Sequence, residues 1–239
     1  MPDIITARRP DRPRVGFTTA RLPAYRDRPV RLYIPADYQP KYAYPLVVMF
    51  HGDREDEDAA ARLAPELSRR NYITACPRGG VLVGNDPSGR RQYSWDAGDE
   101  RLQPYIADLL EEVRGEFHIH ESRVYLLGIG AGATVAYHIG LLLRDRIAGI
   151  VALNGSFESR RFRTARGLRV FVGHGSSNPV VPVSKAQRAA RRLTRMDAEV
   201  RFEAYPTTHR VHGDMLRDVN RWIMDRVNPD FDSIPNPTS

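Results

Sequence analysis

The stretch RVYLLGIGAGATVAYHIG, residues 123–140, joins a short apolar run to a helix-forming run through a turn rich in glycine. This order predicts a buried strand, a tight turn and a helix. A turn of this kind at a strand end commonly presents a nucleophilic serine, in the pattern G-x-S-x-G. Here residues 128–132 are GIGAG, so the central residue, Gly130, supplies no side chain. The stretch therefore predicts a strand-turn-helix elbow without a nucleophile.

Buried strands alternate with amphipathic helices along most of the chain. Apolar or alternating runs predict strands at 28–38, 44–52, 71–77, 123–128, 147–155, 168–175 and 199–206. Helical periodicity predicts helices at 56–70, 101–117, 131–143, 183–195 and 213–226. Such alternation is typical of βαβ units, in which a mostly parallel sheet carries helices on both faces. We therefore expect one α/β domain over residues 28–227.

Three segments lack this alternation. Residues 1–27 are rich in arginine and proline and predict an N-terminal arm, and residues 228–239 predict a C-terminal tail. Residues 79–100 are full of turn-forming residues and predict a long loop. Long loops in compact domains are often functional.

Composition limits the class of protein. The chain has 239 residues, a formal net charge of +7 and a single cysteine, Cys76, which excludes an internal disulfide. No apolar run approaches the roughly 18 residues needed to span a membrane, and no signal-peptide stretch opens the chain. We expect a cytoplasmic protein with Cys76 as a small buried residue, and without a cofactor.

Polar residues follow several of the predicted strands. Residues 51–53, HGD, end one strand, Gly130 follows another, residues 174–178, HGSSN, end a third, and His209 follows a fourth. The carboxyl ends of parallel strands meet at one edge of a sheet, where ligands and catalytic groups collect. We therefore expect these residues to form one site.

The chain resembles the phospholipase/carboxylesterase branch of the α/β-hydrolase fold, and is also similar to polyester-depolymerase-type esterases. The resemblance covers roughly residues 28–227. Its carriers are VVMFHG, YSW, RVYLLGIGAG, AGIVALNGSF, HGSSNPVVP and YPTTHRVHGDMLRDVNRWI. It implies the α/β-hydrolase fold and a nucleophile–acid–histidine triad, in that chain order.

Two of the three triad positions depart from the family pattern. Gly130 stands at the serine position, and Asn178 stands at the acid position of HG-x-x-D-x-x-V-P, so only His209 matches. Gly130 supplies no attacking oxygen. Asn178 can hydrogen-bond an imidazole but cannot stabilise an imidazolium by charge, and the same acid-to-amide change costs about 10⁴ in kcat in serine proteases. These departures predict a member of the family that has lost serine catalysis and keeps a ligand-binding or scaffold role.

An oxyanion hole can outlast the triad because it is built from backbone N–H groups. By position its donors are the N–H of Ala131 and one from the 51–53 turn, so that Gly52, Asp53 and Ala131 border the expected pocket. Its ligand would be a small ester-like compound. The opposing interpretation, that these are ordinary turn amides satisfied by water, stays open.

Two other functions remain as alternatives. One is an active hydrolase in which a metal-bound or otherwise activated water reacts through His209, with His51 and His174 at the same edge, although no histidine cluster matches a zinc motif. The other is an anion- or nucleic-acid-binding module. Its basic residues would be Arg160, Arg161, Arg163, Arg166, Arg169, Lys185, Arg188, Arg192 and Arg195. Acidic residues are also plentiful and no nucleic-acid motif is present, so we expect a solvated face without a nucleic-acid partner.

Overall fold

A computed structural model describes residues 15–157 and 161–227, and its centre is an eight-stranded sheet. The strands of this sheet are β1 (Gly16–Ala20), β2 (Val30–Ile34), β3 (Tyr44–Phe50), β4 (Ile73–Pro77), β7 (Ile119–Ile129), β8 (Gly149–Leu153), β9 (Arg169–Gly175) and β10 (Glu199–Tyr205). Their spatial order is β1-β2-β4-β3-β7-β8-β9-β10. In this order β1 and β2 pair antiparallel, as do β2 and β4, and all pairs from β4 to β10 are parallel. The predicted mostly parallel sheet is confirmed.

Helices cover both faces of the sheet, as predicted. They are α1 (Glu57–Leu67), α2 (Leu102–Glu116), α3 (Ala131–Leu142), α4 (Val183–Arg195) and α5 (Gly213–Val227). Alternate residues of β3 show the division: Val48 belongs to the core cluster that includes residues of α2, α3 and α4, and Val47 belongs to the cluster that includes residues of α1 and α5. The two apolar layers bury the strands on both sides, which explains why the central strands are continuous apolar runs. Within the described part of the chain, no helix has the length and apolar character needed to cross a bilayer.

Two segments differ from the sequence prediction. Gly16–Ala20, assigned to the N-terminal arm, forms β1 and pairs with β2 at one edge of the sheet, so the boundary at residue 28 was placed too late. The predicted loop over 79–100 contains an antiparallel hairpin of β5 (Val81–Asn85) and β6 (Arg91–Ser94). Residues 1–14 of the arm and the whole tail at 228–239 lie outside the described residues.

The elbow between β7 and α3 depends on glycines that let backbone segments approach closely. A Cβ added to Gly132 would stand 2.4 Å from the carbonyl oxygen of Phe50 and 2.5 Å from that of His51. A Cβ on Gly128 would stand 2.1 Å from the carbonyl oxygen of Gly132. These distances are shorter than van der Waals contact, so the helix start and the end of β3 fit together only without side chains at these positions.

We predict that Gly132→Ala destabilises the protein by about 1–3 kcal/mol, because the methyl group would collide with two backbone carbonyls that have little room to move. Urea unfolding would measure the loss. The matched control is Gly115→Ala in α2, where an added Cβ meets no atom within 4 Å. That change should be neutral or slightly stabilising. Equal stability of the two variants would contradict this account of the elbow.

Candidate active site

The carboxyl-end edge of the sheet brings Gly130 and His209 into direct contact range. Gly130 has φ 54° and ψ −114°, a left-handed backbone that is unfavourable for residues with a side chain. Its N–H donates to the carbonyl of Leu153 at 2.9 Å, which ties the elbow to the end of β8. A Cβ at this position would lie 3.2 Å from Nε2 of His209 and 4.0 Å from Cα of Gly52. A side chain at 130 would therefore project between the imidazole and the 51–53 turn.

Asn178 faces the other nitrogen of the same imidazole. Nδ1 of His209 lies 3.1 Å from Oδ1 and 3.0 Å from Nδ2 of Asn178. Burial lowers the pKa of His209 below its usual value, and the Glu55 carboxylate opposes that shift. The three positions assigned from sequence, 130, 178 and 209, thus lie together, with Asn178 at one nitrogen of the His209 ring and position 130 at the other.

Asn154 is a site residue that sequence reasoning missed. It follows β8 directly, is fully buried and has φ 56°. Its Nδ2 donates to the carbonyl of His209 at 2.9 Å, and its Oδ1 accepts from the N–H of Gly175 at 2.9 Å. The available signal was a polar residue at the end of an apolar strand, in the sequence VALNG.

The backbone N–H groups expected to form the oxyanion hole differ in whether they already have a hydrogen-bond partner. The N–H of Gly52 donates to the carboxylate of Glu55 at 2.8 Å, so this amide already has an anionic partner. Ala131 opens α3, and an N–H at the first helical position has no intrahelical carbonyl to bond. The carboxylate of Asp53 accepts from the hydroxyl of Ser94 at 2.5 Å. Asp53 and Ala131 remain the predicted N–H donors.

The hairpin β5–β6 and the residue after it brace this turn. The N–H of Tyr93 donates to the carbonyl of Glu55 at 2.8 Å, and Trp95 Nε1 donates to the carbonyl of His51 at 3.0 Å. The Ser94 hydroxyl also donates to Asp53. Three successive residues, 93–95, therefore hydrogen-bond to the turn after β3. The segment predicted as a long loop thus contacts the turn after β3 through these three residues.

His51 is a buried structural residue rather than a free ligand. Its Nδ1 lies 2.8 Å from the carbonyl of Gly52, and its Nε2 accepts from the N–H of Gly79 at 2.9 Å. Burial lowers the pKa of His51 to about 4, so the ring is neutral at physiological pH. His174 is also buried and has Nε2 at 2.7 Å from the carbonyl of Val181. Among residues 15–157 and 161–227, no group of three or more His, Cys, Asp or Glu side chains is arranged to hold a metal ion.

Basic residues of α4 lie on the surface or against an aromatic ring, and Cys76 lies in the core. On α4, Arg188 and Arg195 are exposed, whereas the guanidinium of Arg192 stacks 5.0 Å from the ring centre of Phe157. Arg160, one of the predicted basic residues, lies outside the described residues. Cys76 is fully buried in β4, and burial raises the pKa of its thiol. A thiol in this state is a poor nucleophile.

Comparison with known proteins gives one family. A family model described as phospholipase/carboxylesterase matches residues 39–226. The bifunctional acetylxylan esterase/xylanase XynS20E of Neocallimastix patriciarum is 22% identical over 154 residues, which are 64% of this chain and 22% of that protein. Acyl-protein thioesterase 1 of Cryptococcus neoformans is 27% identical over 140 residues, 50% of this chain and 59% of that protein. The chain thus spans less than two thirds of each of these relatives.

Solved structures share the architecture. A carboxylesterase from Mesorhizobium loti superposes with a TM-score of 0.68 at 16% identity, covering 86% of this chain and 98% of that one. Esterase PE8 gives a TM-score of 0.68 at 21% identity, covering 88% of this chain and 99% of that one. The expected α/β-hydrolase fold is confirmed.

We predict that His51 makes the fold sensitive to acid. Its pKa is about 4 in the folded protein against an ordinary value of 6.5, so the unfolded chain binds the extra proton first. The stabilisation is complete above pH 6.5 and is lost as the pH falls towards 4, by up to about 3 kcal/mol. Urea unfolding at pH 7.5, 5.5 and 4.5 would measure the loss.

The variant His51→Gln should lower stability at pH 7.5 and flatten the dependence on pH. His118→Gln, a change at an exposed histidine, is the control and should keep the wild-type pH dependence. A wild-type slope retained in His51→Gln would show that another group causes the acid sensitivity.

Proposed function

Since the chain belongs to the phospholipase/carboxylesterase family of α/β-hydrolases, we propose that it is a member that has lost serine-type catalysis and keeps a ligand site at the same edge. One observation carries the proposal. The place for a side chain at position 130 lies 3.2 Å from Nε2 of His209, and Gly130 puts no oxygen there. The general base is present, but the group it would deprotonate is missing.

The residues that remain can bind but not form an acyl-enzyme. Acyl transfer needs an oxygen that attacks the carbonyl carbon while histidine removes its proton. Without that oxygen, His209 can exchange a hydrogen bond with a bound ligand, and the N–H groups of Asp53 and Ala131 can donate to a carbonyl oxygen. We propose a small acyl ester or the related carboxylic acid as ligand, since the named relatives are an acetylxylan esterase and acyl-protein thioesterases.

A water-activating mechanism through His209 has weaker support. Removing a proton from water would leave His209 positively charged. Burial lowers the pKa of His209, and its partner Asn178 offers an uncharged amide. The imidazolium would therefore lack the charge support that an acidic partner gives in hydrolases of this type.

We predict that the wild-type protein is not labelled by a fluorophosphonate probe and does not hydrolyse p-nitrophenyl butyrate above a protein blank. Gly130→Ser should be labelled at the new hydroxyl, with a rate up to about 10⁴ below that of an intact triad, because Asn178 replaces the acid. Adding His209→Ala to Gly130→Ser should abolish that labelling. Mass spectrometry of the labelled peptide identifies the site, and thermal melts confirm that each variant is folded.

Stoichiometric labelling of any serine in the wild-type protein would contradict the loss of serine catalysis. The retained ligand site, the second part of the proposal, is tested by a separate measurement. Titration with p-nitrophenyl butyrate should shift the amide NMR signals of Ala131 and Asp53 in a saturable way, without turnover. An absence of such shifts at millimolar ester would contradict a retained ligand site.

A further inference from the structure

Two buried asparagines meet behind His209. Asn154 is fully buried and Asn178 is 6% exposed. The Nδ2 of Asn178 donates to the Oδ1 of Asn154 at 3.3 Å. They come from different segments, since Asn154 follows β8 and Asn178 follows β9. Neither side chain belongs to the elbow, yet both contact the segment that carries His209.

Asn154 is held in one orientation by backbone groups. Its Nδ2 donates to the carbonyls of His209 and Arg210, at 2.9 and 3.3 Å. Its Oδ1 accepts from the N–H of Gly175 at 2.9 Å. Turning the amide over would place an oxygen against two carbonyls and an NH₂ against an N–H. Because unpaired buried polar groups are costly, the oxygen of Asn154 stays directed towards Gly175 and Asn178.

Asn178 is oriented just as firmly. Its Oδ1 accepts from the N–H groups of Val180 and Val181, both at 3.0 Å. Its Nδ2 is therefore the group that points at Asn154. An aspartate in the same place would keep the two N–H bonds on one oxygen, and would put its second oxygen about where Nδ2 now lies, 3.3 Å from the oxygen of Asn154.

We propose that Asn154 selects an amide rather than a carboxylate at position 178. An acid there would set two buried acceptors against each other, and Asn154 has no alternative orientation that keeps its own bonds. The pair holds an uncharged group next to His209 and, through the carbonyls of His209 and Arg210, fixes the loop that presents the imidazole. Recovery of a charged triad acid then requires a change at residue 154 as well as at 178.

The interpretation of the Asn154–Asn178 pair as a barrier to regaining the triad acid rests on the proposed loss of serine catalysis. The experiment that tests the pair does not depend on that loss. Two histidines would favour an acid at 178 and must be separated from the effect of Asn154. Nδ1 of His209 lies 3.0 Å and Nε2 of His174 lies 3.4 Å from the Nδ2 of Asn178. The carboxylate of Glu55 acts on His209 from the opposite side. A single Asn178→Asp substitution mixes these contributions, whereas a double-mutant cycle with Asn154 isolates one of them.

The experiment is a folding cycle at pH 8.5, where the buried histidines are neutral. It compares wild type, Asn178→Asp, Asn154→Gly and the double variant by urea unfolding. Glycine is chosen because it removes the amide and accepts the left-handed backbone at 154. We expect Asn178→Asp to lower the folding equilibrium constant at least tenfold more in the Asn154 protein than in the Asn154→Gly protein. A cost that is equal within twofold in the two backgrounds would overturn the proposal.

Asn85→Asp is the matched control, since it makes the same chemical change at an exposed position of the hairpin. Its cost should be the same in both backgrounds.

If Asn154→Gly does not fold, a crystal structure of Asn178→Asp decides the question. We expect the introduced carboxylate to have moved away from Asn154, or the Asn154 amide to have turned over and released the carbonyl of His209. An unchanged Asn154 beside a carboxylate in the place of Asn178 would overturn the proposal, whatever the fluorophosphonate result.

Discussion

The fold depends on how closely the start of helix α3 can approach the end of strand β3. The backbone of Gly132 lies against the carbonyls of Phe50 and His51 with no room for a methyl group. This contact places the elbow beside the 51–53 turn, and the Leu153 carbonyl holds the elbow from the other side. Every group assigned to the site is positioned relative to these two backbone junctions. Glycine at 132 is therefore favoured by packing, whereas glycine at 130 is favoured by the left-handed backbone of the turn.

At the histidines of the site, burial outweighs the nearby carboxylates. His51 and His174 are buried, and Asn178, not an acid, contacts His209. The pKa values of all three histidines are lowered chiefly by burial. In a hydrolase the histidine must become positively charged during each turnover, and a carboxylate makes that step accessible. Here burial favours the neutral ring of His209.

The sequence predicted the central strands and all five helices because both faces of the sheet are covered, so apolar runs and helical periodicity carry clear signals. It missed β1, which is an edge strand with exposed side chains and little apolar content. It also missed the hairpin, whose strands Val81–Asn85 and Arg91–Ser94 are short, and the first of which contains Gly84. Gly130, Asn178 and His209 were predicted to lie together because they follow strand ends in the chain order of the family's triad, and the structure does place them side by side. Asn154 was not, because its importance comes from contacts with His209 and Gly175, and such long-range pairing leaves no local pattern.

The sheet ends at β10, which has β9 on one side and no further strand in the described sheet. One face of β10 carries Glu199, Arg201 and Glu203, and these side chains form ion pairs on the strand or with its neighbours. An edge strand with open N–H and C=O groups is a template for a strand from another molecule. Charged side chains along that edge make such an addition unfavourable, since an incoming strand would have to bury them. The charges on β10 thus disfavour edge-to-edge aggregation of the sheet, an effect that is independent of the chemistry of the site.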